Sequence, residues 1–361
     1  MSRCASLGCG NRMMLALAMA GACIPGPRAA AQALPATLKG AMTGYLKFTP
    51  AEITAVEGGR AAAHIVETGD PEDVFIVGAV RVGVLPAVFV ERYRNITEFE
   101  SGPGIPAGGK FSTPPVEQDL SGLAFIKDEI DDIRDCKPGD CSFKIGDPGI
   151  QRIRTSVNWK SQGYVAEANK VIRGMWLEYL RNYQAKGNAA LAAYHDSDKL
   201  SRVADGLTKL VKNLPVLEQY VPETADYLVR FPQSKPPSSE EFYYWQIAEF
   251  GLKPVHRVTH VIIQKKPGQF GDAYLITNKM LYASHYFRSA LEFRFLIPAE
   301  GSDKKPATYL VVLQRSYVDG LTGMKGKLLR GPIMSRSRDA LERYLMASKN
   351  KLEGRPAAAK K

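Results

Sequence analysis

The sequence predicts an α+β protein: an antiparallel sheet gripped by a long C-terminal helix, with a large helical segment in the middle of the chain. Three observations carry that expectation. Four apolar, strand-like runs follow one another between residues 254 and 316: "PVHRVTHVIIQ", "AYLITNKMLYASHYF", "ALEFRFLIP" and "TYLVVLQRS". Such runs, rich in β-branched and aromatic residues and free of helical spacing, read as consecutive strands. The middle of the chain is helical instead, most clearly in "AEANKVIRGMWLEYLRNYQAKG", residues 166–187. After the strands, Ser335 to Glu353 places Leu341, Tyr344, Leu345 and Leu352 along one side of a helix.

The N-terminus reads as an export signal over residues 1–33. Arg3 and Arg12 give a positive start, Met13 to Ile24 is apolar, and Ala31 and Ala33 form the small-residue pair before a cleavage site. An apolar helix that short rises ~18 Å against a hydrocarbon core of ~30 Å, so a removed signal fits better than a membrane span. "AGAC", Ala20 to Cys23, loosely resembles a lipoprotein box with Ala20 in place of the usual Leu, and anchoring through Cys23 is the lesser alternative. No later segment has eighteen uninterrupted apolar residues, and no transmembrane helix is expected.

Residues 34–232 form a mixed region. Thr49-Pro50-Ala51-Glu52 is a capping box with proline in the first helical turn, opening a helix that stops near Gly58-Gly59. Ala61–Thr68 and Asp73–Val84 read as strands around the Gly69-Asp70-Pro71 turn, and "LPAVFVERYRN" returns to helical spacing. Gly102 to Pro115 is a glycine- and proline-rich connection. Ile126, Ile130 and Ile133 share one face of a short helix, with Asp128, Glu129, Asp131 and Asp132 largely off it. The acids lack the spacing of an EF-hand loop and read as a solvated face. The long helix carries an apolar stripe of Val171, Met175, Trp176, Tyr179 and Tyr183 and ends at Gly187, with further helices over Lys199–Lys212 and Pro222–Phe231. "FPQSKPPSS", from Phe231, is a linker, and a capped helix is expected in "SSEEFYYWQIAEFG". Residues 233–353 then hold the sheet, a Pro-Gly turn after its first strand, a basic glycine loop and the C-terminal helix. Residues 354–361 are expected to be disordered.

Cysteine usage places the protein in the cell. Cys4, Cys9 and Cys23 lie in the export segment, which leaves Cys136 and Cys141 in "RDCKPGDC". Redox pairs usually have two intervening residues, and zinc needs about four ligands, so neither role fits. In an exported chain the pair reads as a disulfide that staples the Pro138-Gly139 turn. The expected location is extracytoplasmic, periplasmic or secreted. The formal charge of +11 includes three arginines of the export segment. A basic balance suits an anionic membrane surface or polymer, while export argues against nucleic acid.

Catalytic and cofactor signatures are missing: there is no G-x-S-x-G, H-E-x-x-H or C-x-x-C, and "GLTGMKGKL" lacks the spacing and the hydroxyl of a phosphate-binding loop. No cofactor is expected. His256 and His260 on one strand would lie ~13 Å apart, too far to share a metal ion, and no metal site is expected. His195, Asp196 and Ser197 are neighbours in a turn, unlike a triad assembled from separate segments. The candidate ligand-binding residues are Tyr282, His285, Tyr286, Arg288, Arg294 and Arg315. Strand alternation puts Tyr282, Ser284 and Tyr286 on one face and His285 and Phe287 on the other. Polar aromatics and arginines on a curved sheet suit an amphiphile's pocket; the plainer alternative is a sheet with one wet face and paired charges. Lys325, Lys327 and Arg330 form a candidate contact with an anionic surface, with Arg336 and Arg338 in the first turn of the helix that follows.

"IRDCKPGDCSFKI", "LRNYQAKGNAALAAY" and "THVII…YASHYF…YLVVLQRSYVDGL" resemble a group of exported bacterial proteins of unassigned function. In the order of its elements, the region from 254 to 353 also resembles the START-like helix-grip arrangement. That resemblance implies a curved antiparallel sheet around a C-terminal helix, often with an apolar cavity. The leading expectation is non-enzymatic binding of a hydrophobic or anionic, lipid-like amphiphile. The alternatives are a hydrolase or lyase using residues such as His285 and Tyr286, and a structural envelope-interaction protein without a pocket.

Overall fold

The computed structural model describes residues 38–249, 251–267, 272–300 and 305–355. The expected export signal with Cys4, Cys9 and Cys23, the Gly268 end of the Pro-Gly turn and residues 356–361 of the tail lie outside the described residues. The described residues belong to one compact unit. The fold is α+β, and its centre is an antiparallel sheet with a long C-terminal helix packed on it.

The strands are β1 (Ala62–Ile65), β2 (Asp73–Val82), β3 (Ala107–Lys110), the short pair β4 (Ala193–Tyr194) and β5 (Ser201–Arg202), then β6 (Ser239–Ala248), β7 (Val255–Lys266), β8 (Ala273–Ala283), β9 (Phe287–Glu300) and β10 (Pro306–Val318). All but β4 and β5 join one sheet of eight strands in the order β1-β2-β10-β9-β8-β7-β6-β3. Consecutive pairing from β6 to β10 follows from the run of adjacent strand-forming segments. β2 closes onto β10, with Arg315 opposite Phe75 and Tyr317 opposite Asp73.

The helices are α1 (Leu38–Gly44), α2 (Pro50–Glu57), α3 (Pro86–Arg94), α4 (Ile96–Phe99), α5 (Lys127–Asp135), α6 (Asp147–Ser156), α7 (Tyr164–Lys186), α8 (Val203–Lys212), α9 (Pro215–Tyr220), α10 (Pro222–Arg230) and α11 (Gly323–Leu352). They cover both faces of the sheet. On one face, α3, α4 and α11 bury Ile76, Val80, Leu310 and Val312. On the other, Phe75, Val77, Ala79, Val311 and Leu313 meet the helical middle of the chain. β2 is accordingly buried at nearly every position, as a strand covered on both sides must be. α11 sits directly on Gly78, where an added Cβ would lie 2.8 Å from Leu345 and 3.0 Å from Leu341. The expected wet face is therefore absent among the described residues of the central strands.

Several expectations hold in detail. Thr49 and Glu52 cap α2 reciprocally, with the Thr49 amide donating to Glu52 at 2.7 Å and Pro50 in the first turn. Others need correction. The segment from Ser239 is a strand, because its aromatics alternate: Phe242 and Tyr244 meet the α11 side while Tyr243 and Trp245 meet the helical middle. The basic glycine segment is no loop, since α11 begins at Gly323 and includes Pro332. Lys325 and Lys327 therefore belong to its first turns, and Arg336 and Arg338 lie well inside it. Ile126 precedes α5 and is exposed, whereas Glu129 turns inward and accepts the Ile126 amide at 2.9 Å. The turn from Ser284 to Tyr286 interrupts the alternation expected across it, since β8 stops at Ala283 and β9 starts at Phe287.

Candidate functional site

The site that stands out is built around α7. The helix stops at Gly187, which has φ +63°, and a Cβ there would strike the Phe231 carbonyl at 2.0 Å. Ala168, Ile172, Trp176 and Leu180 recur every fourth residue on its buried face. Met175 and Tyr179, part of the expected stripe, lie half-buried at the edge of that face. Beneath them, between α7, α6 and β8, is a cavity of about 160 Å³ walled by Phe125, Phe143, Ile172, Trp176, Tyr194 and Tyr282. The rings interlock edge to face: Trp176 and Tyr282 have centroids 5.1 Å apart, and Tyr194 and Tyr282 are 6.0 Å apart.

The polar groups of the wall differ in what they have left to offer. The Tyr179 hydroxyl donates to the Leu281 carbonyl at 2.6 Å and accepts the Ala192 amide at 3.2 Å. Tyr194 accepts the Ala283 amide at 3.4 Å. The Lys144 ammonium is buried and held by two carboxylates, Asp196 at 3.0 Å and Asp319. Tyr282 and Trp176 make no side-chain hydrogen bond among the described residues. Burial pushes the Tyr179, Tyr194 and Tyr282 phenols well above their ordinary value, so all three are neutral at pH 7.

Cys136 and Cys141 are bonded, with Cα atoms 4.5 Å apart. The ring closes at the C-terminal end of α5, beside the cavity wall formed by Ile133 and Phe143. Gly139 at φ +81° supplies the turn, and its amide donates to the His195 carbonyl at 2.8 Å. The bond is compatible with an extracytoplasmic location. Among the described residues no helix is long and apolar enough to cross a membrane.

The structure disperses the expected ligand-binding residues. Tyr282 joins the cavity. His285 lies behind Phe143, its ring centroid 4.3 Å from that phenyl ring, with Nδ1 2.7 Å from the Ser142 carbonyl. Tyr286 takes the turn at φ +61°, and its hydroxyl accepts the Lys253 amide at 3.0 Å. Arg288 is committed to Glu72 at 2.5 Å and Asp319 at 2.8 Å. Arg294 and Arg315 point to opposite faces. Arg294 is buried under α3 and α11 with Glu100 at 2.9 Å and Glu292 at 2.7 Å. Arg315 faces the helical middle and holds Asp73 through two bonds of 2.9 and 2.7 Å. Register thus keeps Arg294 and Arg315 from sharing one pocket.

His256 and His260, read in the sequence only as strand histidines too far apart to share a metal ion, are both buried, and their partners were not foreseen. Beside the cavity, His256 stacks on Phe125 at 3.9 Å, and its Nδ1 lies 3.6 Å from Glu129 without a hydrogen bond. Further along β7, His260 links Tyr183 at 3.0 Å to Glu241 at 3.2 Å, and Lys279 lies against the rings of Tyr183 and Phe231. Burial pushes His256, His260 and His285 down to about 4, and Lys279 down to about 7. Among the described residues no group of three or more His, Cys, Asp or Glu side chains is placed to hold a metal ion. The expected anionic-surface residues also differ: Lys327 is exposed, while Arg330 reaches the Pro71 carbonyl at 3.3 Å and Glu67 at 3.6 Å. Next to them, Met324 and Leu328 are exposed at 88% and 78%.

No family model and no curated protein matches the chain.

Proposed function

We propose that the protein is an exported, non-enzymatic binding protein for a small apolar molecule, with the cavity under α7 as its site. The observation that carries this reading is the ring-lined space of about 160 Å³. Apolar cavities of about 150 Å³ hold one benzene-sized molecule, so the ligand, or the part of it that enters, is of that size. A whole lipid chain is too large. The charge around Lys144 also narrows the ligand. One ammonium faces two carboxylates, so a further anion gains nothing there, and the part that enters is neutral. Tyr282 and Trp176 are left to bond a single oxygen on the ring.

Met324, Leu328 and the lysines around them support the view that the start of α11 touches an anionic membrane surface, where ligand is exchanged. The hydrolase or lyase alternative has less behind it. The His285 Nδ1 is committed to the Ser142 carbonyl, its Nε2 is buried without a partner, and the Tyr286 hydroxyl is occupied by a backbone amide. Calorimetric titration with phenol tests the proposal. The parent protein is expected to bind one equivalent, and Ile172→Phe, which narrows the cavity, to bind more weakly while remaining folded. Equal heats from both proteins overturn the reading.

A further inference from the structure

A second cavity, of about 240 Å³, lies on the other face of the sheet, where β3 and β6 meet the end of α4. Its depth comes from register. Gly108 on β3 is paired with Gln246 on β6, and the absent side chain leaves space above the glutamine. Gln246 is 2% exposed, and neither its amide nitrogen nor its amide oxygen has a hydrogen-bond partner. A buried amide with both ends unmatched is rare, because each end has given up water without replacement. The next strand repeats the pattern: Arg257 stands opposite Gln246, and its Nε is buried without a partner.

The rest of the wall mixes apolar side chains, Ile96, Ile105, Pro106 and Tyr244 among them, with a few polar groups, and the charges in and behind it are balanced. Glu100 and Ser101 line it from the end of α4. Glu100 accepts from Arg294 at 2.9 Å and from the Tyr344 hydroxyl at 3.0 Å. Glu292, deeper in the same layer, is bonded to Arg294 and feels Arg257. Two arginines thus balance two carboxylates, so neither an anion nor a cation is favoured. A volume of about 240 Å³ is the share of about eight waters in the liquid, or of one small solute.

We propose that this cavity is a separate binding site for a small neutral molecule that presents a hydrogen-bond donor beside an acceptor, as an amide or a pair of neighbouring hydroxyls does. The Gln246 amide recognises it by giving one bond and receiving one. Such a site rejects an apolar molecule, since occupancy would leave the amide as unmatched as before. It differs from the ring-lined cavity across the sheet in this unpaired amide.

The test is to follow the side-chain amide resonances of Gln246 in the full-length protein, assigned by their loss in Gln246→Leu. N-acetylglycinamide and erythritol, each of about eight heavy atoms to match the cavity, serve as the amide and hydroxyl probes. At least one is expected to shift these resonances saturably, and toluene to leave them unchanged. By calorimetry, the same probe should bind Gln246→Leu about tenfold more weakly or worse. Ser101→Leu, at the exposed rim, offers a second way to block the site should the core variant not fold. The proposal is overturned if neither probe moves the resonances up to its solubility, for the amide is then met by water alone. Binding that survives both substitutions overturns it as well.

Discussion

Breaking the Cys136–Cys141 bond is the sharpest probe of how the protein is held together. The ring spans only "CKPGDC", and loop-closure entropy for so small a ring is worth about 2 kcal/mol. Other contacts persist without the sulfurs. The Lys137 and Asp140 amides and carbonyls pair at 2.9 Å, and the Cys141 amide donates to the Asp196 carbonyl at 3.2 Å. The folded turn therefore survives, and about 2 kcal/mol is an upper bound. Unfolding entropy near 2.1 cal/mol/K per residue gives about 0.7 kcal/mol/K for a unit of this size, so Tm falls by about 3 °C. The assay is differential scanning calorimetry of the parent and of Cys136→Ser with Cys141→Ser. Peptide mapping after alkylation without reductant establishes the bond in the parent. A fall above about 8 °C would refute the local-staple argument, and free thiols in the native parent would refute the bond itself.

Two further outcomes follow from the buried charges and the exposed start of α11. His256, His260 and His285 sit at about 4 in the folded protein because burial disfavours their charged form, against 6.5 ordinarily. The unfolded chain then binds more protons between those values, so stability falls as pH drops from 6.5 towards 4; urea unfolding across that range checks it, and a flat profile contradicts it. Lys279, at about 7 against 10.5, adds stability as pH rises between those values. The mature protein is expected to bind anionic vesicles at low salt, weakly at physiological salt where the Debye length is ~8 Å, and scarcely to neutral ones. Reversing Lys325 and Lys327 to Glu, while sparing Arg330 for its contacts with Pro71 and Glu67, should weaken that binding without lowering Tm, and unchanged sedimentation with vesicles contradicts the contact.

Much of the sheet was legible because β7 to β10 are long, β-branched and adjacent, and antiparallel neighbours need only short turns. β6 was misread because "SSEE" looks like the start of a capped helix. In the fold Glu240 instead bonds Arg94 at 2.7 Å, and Glu241 takes the Tyr227 hydroxyl and His260. The first part of α11 was hidden by Gly323, Gly326, Gly331 and Pro332, all of which disfavour helix locally. Its later turns, packed on Gly78, supply the burial that local propensity lacks.

The candidate site was legible in one residue, Tyr282. Its companions Phe125, Phe143, Trp176 and Tyr194 come from four separated segments, and only the packing of α7 against β8 brings them together. The two arginines show the opposite failure. Arg294 pairs with Val312 in register, which leaves Arg315 beside Leu291 on the reverse face. That parity depends on strand pairing, which no single strand reveals. Gln246 gave no signal, since its isolation arises from Gly108 across the strand pair.

The most direct test of the central claim is mass spectrometry of the small molecules released from protein purified from its natural compartment, with Ile172→Phe purified in parallel. A neutral, ring-sized molecule, or one ending in such a ring, is expected near one equivalent from the parent and at a clearly lower level from the variant. The same molecule at the same level from both proteins would contradict the proposed site, because the narrowed cavity would hold less of it.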